Sequence, residues 1–298
     1  MRLDLAAARR WGLSRRTARD AVRDGRIEVD GVVSDEPGRE ISETSRLEYD
    51  PDRPVRRRVR TRLSVLAEDE DFVIVDKPAG LLTVPTAERE RDTLLARVLD
   101  YLHHRYRRRP LAFVVHRIDR DTSGAVVFAR NRETLHALQD LFRRHAIERE
   151  YVALVEGDLA GSGRFDADLV RDGGDRRRSI ARRGEPGKRA VTRYRVLESL
   201  SAAALVSVEL ETGRTHQIRV HFSAGGHPVL GDPVYRPRGM GPPPVEAPRQ
   251  MLHARRLGFV HPRTEARVLA ESPLPADFSE VVARLKAKRK APRDSRGA

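Results

Sequence analysis

The densest group of residues able to do chemistry lies between His116 and Gly124. It places the carboxylate of Asp119 among Arg, His and small hydroxyl residues, directly before the apolar run Ala125–Phe128. A buried strand needs no polar leader, so the pattern predicts a loop that delivers Asp119 to a rigid edge, with Gly124 easing the turn into the strand. Nearby positive charge favours the charged form of an acid. Asp119 is therefore expected to stay ionised at neutral pH and is a candidate nucleophile.

Three other interpretations compete with a nucleophile. The loop also has the composition of a turn whose Asp and Thr side chains only cap backbone amides, and the residues alone leave this open. A glycosidase needs two carboxylates flanking a sugar bond, whereas Asp119 and Asp121 point in opposite directions in an extended chain. A metal site is disfavoured, because the spacing is not that of a zinc-protease His pair and many histidines are simply hydrogen-bonded. The side chains considered as ligands are His216, His221, His227 and Asp232.

Two further polar clusters need elements to position them. One surrounds Arg219, where Thr215 is expected to cap a short helix that stops at Gly225-Gly226. The arginine would then project from a rigid element. The other is a strand from Glu148 to Gly157 that carries the aromatic hydroxyl of Tyr151.

The residues around these clusters mix strand and helix signals. Phe72–Val75 is a short apolar strand, and Asn131 is expected to cap a helix. That helix has an apolar stripe of Leu135, Leu138, Leu141 and Phe142. Further strands are expected over Tyr151–Val155, Val191–Leu197 and Leu205–Leu210. Strands and helices do not alternate regularly, and no glycine-rich phosphate loop follows a strand. We therefore predict an α+β fold with a mixed, mainly antiparallel sheet flanked by helices.

Residues 1–50 are expected to form a separate small α+β module. Ser14 caps a predicted helix that stops at Gly25, and an Asp30-Gly31 turn predicts a hairpin after it. Arginines three or four positions apart share one exposed face of the helix. They are Arg15, Arg16, Arg19 and Arg23. Residues 51–61 are expected to be a basic linker, 62–285 the large domain, and 286–298 a basic disordered tail.

The composition limits the classes of protein and partner. Of 298 residues, 58 are Lys or Arg and 44 are Asp or Glu, a formal net charge of +14. This surplus favours nucleic acid as the partner, although a high-GC genome also raises the Arg count. The absence of cysteine excludes disulfides, thiolate zinc sites and Cys nucleophiles. No apolar run approaches ~18 residues and the start lacks a signal core, so a soluble cytoplasmic protein without a membrane span is expected.

The segment His116–Gly124 closely resembles the signature of pseudouridine synthases of the ribosomal large-subunit (RluA-type) family. Similar segments follow in the family's order across residues 62–280. They are Val75–Leu81, the Tyr151 strand, Gly187–Tyr194, the Arg219 segment, His227–Tyr235 and Leu252–Ala254. Two positions depart from the pattern, because Ile118 stands where Leu is usual and Arg149 where Lys is usual. Neither change removes a reactive group. Residues 1–50 resemble the S-four-like RNA-binding domain found on many RNA-modifying enzymes.

The resemblance implies isomerisation of uridine to its carbon-linked isomer in structured RNA, without cofactor or metal. It assigns Asp119 as the catalytic aspartate, Tyr151 as the active-site aromatic and Arg219 as the basic partner of the aspartate. Whether the carboxylate attacks the sugar or the base, or removes a sugar proton, stays open. Residues expected to contact the RNA are His116, Arg117, Arg120, Thr122, Lys77, Arg214, His216 and Gln217, besides Arg15, Arg16, Arg19, Arg23 and the basic segment Arg176–Arg178.

The expected partner is RNA, with large-subunit ribosomal RNA favoured and the protein acting as a monomer. Flipping a base out of structured RNA costs a few kcal/mol, which contacts between the basic surface and phosphates must offset. Two alternatives stay open. One is a pseudouridine synthase that acts on transfer RNA, and the other is a non-catalytic RNA-binding or ribosome-assembly factor on the same fold.

Overall fold

The chain divides into two compact units, Met1–Arg62 and Leu63–Ala298. The structure, a computed structural model, describes residues 1–34, 36–53, 63–88, 90, 92–106, 111–171 and 177–290. Residues 54–61 of the expected linker and 291–298 of the expected tail lie outside the described residues. None of the helices within the described ranges is long and apolar enough to cross a membrane.

The N-terminal unit packs two helices and a three-stranded sheet around a small apolar core. Its elements are α1 (Leu3–Trp11), α2 (Arg15–Arg23), β1 (Ile27–Val29), β2 (Val32–Ser34) and β3 (Leu47–Tyr49). Ser14 caps α2 by accepting a hydrogen bond from the Thr17 amide, and Asp30-Gly31 turns β1 into β2. The predicted helix and hairpin are therefore confirmed. The four arginines of α2 are exposed, while Ala18, Ala21 and Val22 face the core.

The large unit is built on one eleven-stranded sheet. Its strands are β4 (Ser64–Glu68), β5 (Phe72–Lys77), β6 (Phe113–Val114), β7 (Ser123–Ala129), β8 (Glu148–Glu156), β9 (Ser162–Arg171), β10 (Arg178–Ile180), β11 (Lys188–Leu200), β12 (Ala203–Leu210), β13 (Leu252–Val260) and β14 (Arg267–Glu271). The main order is β10-β9-β11-β12-β8-β13-β7-β5-β4, with β14 beside β13 and β6 beside β7. Of these strand pairs, β13 with β7 is parallel and the rest are antiparallel. The predicted fold class is confirmed.

Helices cover both faces of the sheet. They are α3 (Leu94–Tyr106), α4 (Arg132–Arg143), α5 (Gln217–Ala224) and α6 (Ala276–Lys290). Successive strand residues point to opposite faces, so α4 packs on Phe72 and Ile74 of β5, whereas α3 packs on Val73 and Val75. On β8, in the same way, Ala153 shares a core with α5 and Val152 one with α6.

The C-terminal helix corrects one prediction. The expected disordered tail began at residue 286, but α6 continues to Lys290. The helix is anchored by a buried stripe of Phe278, Val281 and Leu285. Its basic end contacts the rest of the unit. Lys286 pairs with Glu198 at 2.7 Å, and the side chains of Lys288 and Arg289 donate to backbone carbonyls. Charge alone therefore misidentified the last turn of a packed helix.

Gly124 lies inside β7 rather than at the turn before it, and its role differs from the predicted one. Its φ is +118°, and β7 there approaches β13 so closely that an added Cβ would lie 2.2 Å from the Ala254 carbonyl oxygen. The residue therefore permits a close backbone approach between two neighbouring strands.

We predict that Gly124→Ala destabilises the large unit by about 3 kcal/mol or more, through steric overlap together with backbone strain. Gly161→Ala is the matched control, because Gly161 also has a positive φ but has open space around its Cβ position. The control should lose about 1 kcal/mol. At 2–4 °C per kcal/mol, calorimetry should show a melting-temperature drop of roughly 8 °C against roughly 3 °C. Equal shifts would contradict the steric explanation.

Candidate active site

The loop that carries Asp119 runs from β6 to β7 and is held by buried polar contacts. The Lys77 ammonium donates to the carbonyls of Pro78, Leu81 and Arg120 at 2.6–2.9 Å. The Thr83 hydroxyl donates to the Ile118 carbonyl at 3.1 Å. These bonds fix the backbone on both sides of Asp119, so its carboxylate is presented from a rigid loop, as predicted.

A second anchor comes from the C-terminal part of the chain. The Arg249 guanidinium donates to the Asp121 carbonyl at 3.0 Å and to the Ser123 hydroxyl at 3.2 Å. Its other edge pairs with Asp277 of α6 at 2.7 and 3.1 Å. Sequence reasoning missed this residue. Its only signal is its position just before the Leu252–Ala254 segment quoted for the family resemblance.

Arg219 on α5 bridges two carboxylates. Its Nη1 donates to Asp119 Oδ2 at 3.0 Å, while Nε and Nη2 form a fork with Asp232 at 2.7 and 2.9 Å. Asp232 also accepts hydrogen bonds from the amides of Val234 and Tyr235. Burial would raise the pKa of Asp232, but Arg219 and these amides hold it below its usual value. Burial would likewise lower the pKa of Arg219, and the two carboxylates outweigh that effect and raise it. The guanidinium is therefore a fixed positive charge aimed at Asp119.

His216 completes the surroundings of Asp119. It precedes α5 in a left-handed conformation with φ +59°, so the predicted Thr215 cap is wrong and the helix begins without a side-chain cap. Its Nε2 lies 3.8 Å from Asp119 Oδ1, and its Nδ1 lies 2.8 Å from the Tyr235 hydroxyl. That hydroxyl accepts from the Arg178 amide, so its own proton is free to bind Nδ1. Burial lowers the pKa of His216, although Asp119 opposes the shift. A ring that accepts from the Tyr235 hydroxyl at Nδ1 presents an N–H group at Nε2 to the carboxylate.

Tyr151 on β8 lines the same cleft as Asp119 and Arg219, so the structure brings the three predicted catalytic residues together. Burial raises the pKa of Tyr151, against the opposing charge of Arg149. The cleft has a volume of about 550 Å³. Its walls are formed by Val115, His116, Arg117, Ile118, Asp119, Thr122, Phe142, Arg143, His145, Arg149, Tyr151, Leu210, Gly213, Arg214, Thr215, His216, Gln217, Ile218, Arg219 and Leu252.

The cleft lies where two halves of the sheet meet. Asp119 precedes β7 on one side of β13, while Tyr151 on β8 and Arg219 after β12 belong to the other. Leu252 of β13 contributes to the wall between them. The site therefore depends on β13 to set the distance between the acid and its partners.

Four residues predicted to contact RNA make hydrogen bonds within the protein. Lys77 is fully buried on three carbonyls, and burial lowers its pKa to about 7 against the charges of Asp121 and Asp119. Gln217 joins Thr212, the Arg214 amide and β11, and Thr122 accepts from Gln250 at 2.9 Å. His116 stacks on Phe142 and accepts from the Val127 amide, and burial lowers its pKa to about 3. Lys77 and Gln217 thus keep no polar atom for RNA, which corrects the prediction for these two residues. His116 and Thr122 line the cleft, and their contact with RNA stays a prediction.

Three arginines among the remaining predicted contacts keep an exposed cation near the cleft. Arg117, Arg120 and Arg214 are exposed, and Arg120 shares its head with Asp121 at 3.2 Å. Arg117 and Arg214 line the cleft. Arg176 lies outside the described residues. Cations are therefore available around the entrance, which suits a polyanionic ligand.

One cluster has the composition of a metal site, formed by Asp69, Asp71 and His261. The Nδ1 atom of His261 accepts hydrogen bonds from two backbone amides, so the ring proton lies on Nε2. That proton faces Asp69 at 3.0 Å, and Arg263 pairs with Asp71 at 2.6 Å. The group is a hydrogen-bonded ion network without a free ring lone pair for a metal.

Comparisons with known proteins point in one direction. The sequence model of a family described as RNA pseudouridylate synthase matches residues 71–224, a range that contains Asp119, Tyr151 and Arg219. A ribosomal large subunit pseudouridine synthase D of Pseudomonas aeruginosa is 38% identical over 282 residues, covering 91% of this chain and 87% of that protein. A protein of the same description from Zymomonas mobilis is 39% identical over 225 residues, covering 72% and 70%. Among solved structures, human RNA pseudouridylate synthase domain containing 4 superposes with a TM-score of 0.63 at 26% identity, covering 74% and 92%.

We predict that stability of the large unit falls between pH 6.5 and 4.5, partly through His221. This side chain is fully buried beside Thr192, and burial lowers its pKa to about 4. His221 takes up its proton near pH 6.5 in the unfolded chain and only near pH 4 in the folded one. Each unit by which the pH falls in this range therefore lowers the free energy of unfolding by up to ~1.4 kcal/mol.

Replacing His221 by Gln should remove about 2 kcal/mol of this pH dependence over the two units. Urea unfolding at pH 6.5 and 4.5 measures it, with His136→Gln as the exposed-histidine control. An unchanged pH dependence in the His221 variant would refute the assignment.

Proposed function

The chain belongs to the RNA pseudouridylate synthase family and is an RNA pseudouridine synthase, and on this premise we propose that Asp119 is its nucleophile and large-subunit ribosomal RNA its substrate. One observation supports the catalytic assignment above the others. Asp119 is the one carboxylate on the described cleft wall, and it faces a guanidinium 3.0 Å away. That wall holds a carboxylate paired with a guanidinium, beside a cavity large enough for a nucleotide base.

In the proposed reaction the bond between uracil N1 and ribose C1′ breaks, and its electron pair stays on the base. The Asp119 carboxylate either forms a bond to the sugar or removes a sugar proton, and both routes need the acid ionised. The base then turns and C5 forms a bond to C1′, while the bond between Asp119 and the sugar breaks or the proton taken from the sugar returns to it. C5 then loses its proton and N1 gains one. Atoms and charge balance without a co-reactant, because uridine and pseudouridine are isomers.

Tyr151 and Arg219 have distinct parts in this reaction. The Tyr151 ring offers a face against which the detached uracil turns while it stays enclosed in the cleft. Its hydroxyl is placed to relay the proton lost from C5. Arg219 orients the carboxylate of Asp119 through one nitrogen, while Asp232 holds the other two nitrogens of the guanidinium.

Exposed cations support the binding of a structured RNA. Arg117 and Arg214 at the cleft, with Arg120 beside it, are placed to hold phosphates around a flipped nucleotide. The exposed arginines of α2 give the N-terminal unit a second basic face, which we propose binds the same RNA. These contacts offset the few kcal/mol needed to extrude the base.

The choice of substrate rests on the descriptions of the relatives, two of which are named as large subunit ribosomal enzymes. We further propose that the protein acts as a monomer, because one chain by itself brings Asp119, Tyr151 and Arg219 together in the cleft. The cytoplasm, where ribosomal RNA is processed in a bacterial cell, is the proposed location.

We predict that Asp119→Asn abolishes pseudouridine formation, lowering the rate by at least ~10⁴-fold, while RNA affinity changes less than about threefold. The amide keeps the size of the carboxylate but cannot attack or take a proton. The measurement combines carbodiimide treatment and reverse-transcription stops with filter binding. Asp121→Asn is the matched control, since that half-exposed side chain pairs with Arg120 outside the cleft wall. Full modification by the Asp119 variant would overturn the nucleophile assignment.

We predict that a strain lacking this protein loses pseudouridine at specific positions of large-subunit ribosomal RNA, while its transfer RNA keeps every pseudouridine. Transcriptome-wide pseudouridine mapping of the strain and its complemented parent measures this. Loss in transfer RNA alone would replace the proposed substrate. An unchanged map, together with ribosomal RNA binding by the purified protein, would indicate a non-catalytic assembly factor.

A further inference from the structure

Arg149 is a buried guanidinium without a carboxylate partner in the described part of the chain. Only 9% of the residue is exposed. Its Nη2 donates to the Leu210 carbonyl at 3.0 Å, its Nε has no hydrogen-bond partner, and its Cζ lies 5.3 Å from the centre of the Phe142 ring. Nη1 lies over Gly213, where an added Cβ would come within 2.8 Å of it. The charge is thus held in place by contacts that do not neutralise it.

Other inward-facing arginines of the large unit are neutralised. Arg219 pairs with Asp232, Arg236 with Glu156 and Arg249 with Asp277, each through two nitrogens. A buried charge without a partner is strongly unfavourable, so its presence indicates that something else supplies the negative charge. Burial lowers the pKa of Arg149, yet an arginine does not lose its proton in a protein. The residue is therefore a permanent, uncompensated cation in the cleft wall.

The position of Arg149 indicates which part of an RNA it meets. Arg149 and Tyr151 are two residues apart on β8, so both side chains point into the cleft from one face of the strand. Exposed Arg117 and Arg214 stand farther out and are accessible to the phosphate backbone. Arg149 itself is nine-tenths buried and lies beside Tyr151, the residue proposed to stack on uracil. From that depth its guanidinium can reach the flipped base.

We propose that Arg149 contacts the flipped uracil and stabilises the negative charge that the base acquires when its bond to ribose breaks. This inference rests on the proposed function and adds a catalytic residue to it. The electron pair of the broken N1–C1′ bond spreads from N1 to the ring carbonyl oxygens O2 and O4, and a guanidinium donates to such oxygens with charge assistance. The charge disappears when C5 joins C1′, C5 loses its proton and N1 gains one. Stabilisation is thus needed only between the two bond changes, on either route open to Asp119.

The experiment varies the cation and the leaving base together. Arg149→Gln removes the charge and keeps a donor for the Leu210 carbonyl, and Arg149→Met serves as a second variant in case the first does not fold. Each is tested in single-turnover reactions with RNA that carries uridine or 5-fluorouridine at the target. Fluorine withdraws electron density and stabilises the uracil anion, so the substituted base needs less help. The readout is loss of the intact nucleoside after nuclease digestion, and thermal unfolding checks the fold.

With uridine, Arg149→Gln should slow the reaction by about 100-fold, the effect of removing one donor from a developing anion. With 5-fluorouridine the loss should shrink to about tenfold or less. Arg149→Lys, which keeps a charge, should stay within about tenfold of wild type on uridine. Arg144→Gln is the control, because that exposed side chain pairs with Asp140 outside the cleft wall and should change neither rate by more than about twofold.

Two results would overturn the inference. An equal loss with both bases would mean that Arg149 acts structurally or before bond cleavage. A loss confined to RNA affinity, with a salt dependence reduced by about one phosphate contact, would make Arg149 a backbone contact. A failure of the proposed function itself would look different, because the wild-type protein would form no pseudouridine in any RNA.

Discussion

The position of one guanidinium determines the geometry of this site. Arg219 uses one edge of its fork for Asp232, which is fully buried, and the remaining nitrogen for Asp119. Because Asp232 occupies two nitrogens and also accepts two backbone amides, the orientation of Arg219 is set before any ligand arrives. Asp232, which does not line the cleft, therefore fixes the direction from which the Arg219 guanidinium approaches Asp119. The Arg219 guanidinium also contacts the Tyr235 ring, whose centre lies 4.9 Å from its Cζ, so the cation is enclosed by two carboxylates and an aromatic face.

A positive surplus of +14 is divided among tasks that composition cannot separate. Lys77 and Arg249 donate hydrogen bonds to backbone carbonyls around Asp119, so these two side chains stabilise the loop. The exposed arginines of the cleft rim and of α2 remain available to the phosphates of an RNA. Cationic side chains thus serve as structural donors, pair with a carboxylate or stay available to RNA, according to their depth in the molecule.

Features that depend on nearby residues were predictable from the sequence. The Ser14 and Asn131 caps and the Asp30-Gly31 hairpin each involve atoms within four positions of one another. The meeting of the three catalytic candidates in one cleft was also predictable, because the family resemblance covers all of them. The ion pair between Asp232 and Arg219 was missed, although the segment that contains Asp232 was noted. A short polar segment does not reveal which cation it will reach.

Other features escaped prediction because their cause lies far along the chain. Gly124 is required by Ala254, 130 positions later, and no local pattern around the glycine contains that information. The burial of Lys77 was unexpected, since lysine is seldom fully buried and a sequence does not show three converging carbonyls. The last turn of α6 looked disordered because its basic residues hide the apolar anchors earlier in the helix.

The place of β13 in the chain has a consequence for how the protein is made. This strand is translated after β8 and β12, yet it lies between β8 and β7 and joins the half-sheet of Asp119 to that of Tyr151 and Arg219. Pairing between segments so distant in sequence is slow, because the intervening chain must first be ordered. A nascent polypeptide that ends before residue 252 has the side chains of Asp119, Tyr151 and Arg219 but lacks the strand that joins their two half-sheets. The cleft can therefore form only after β13 has left the ribosome.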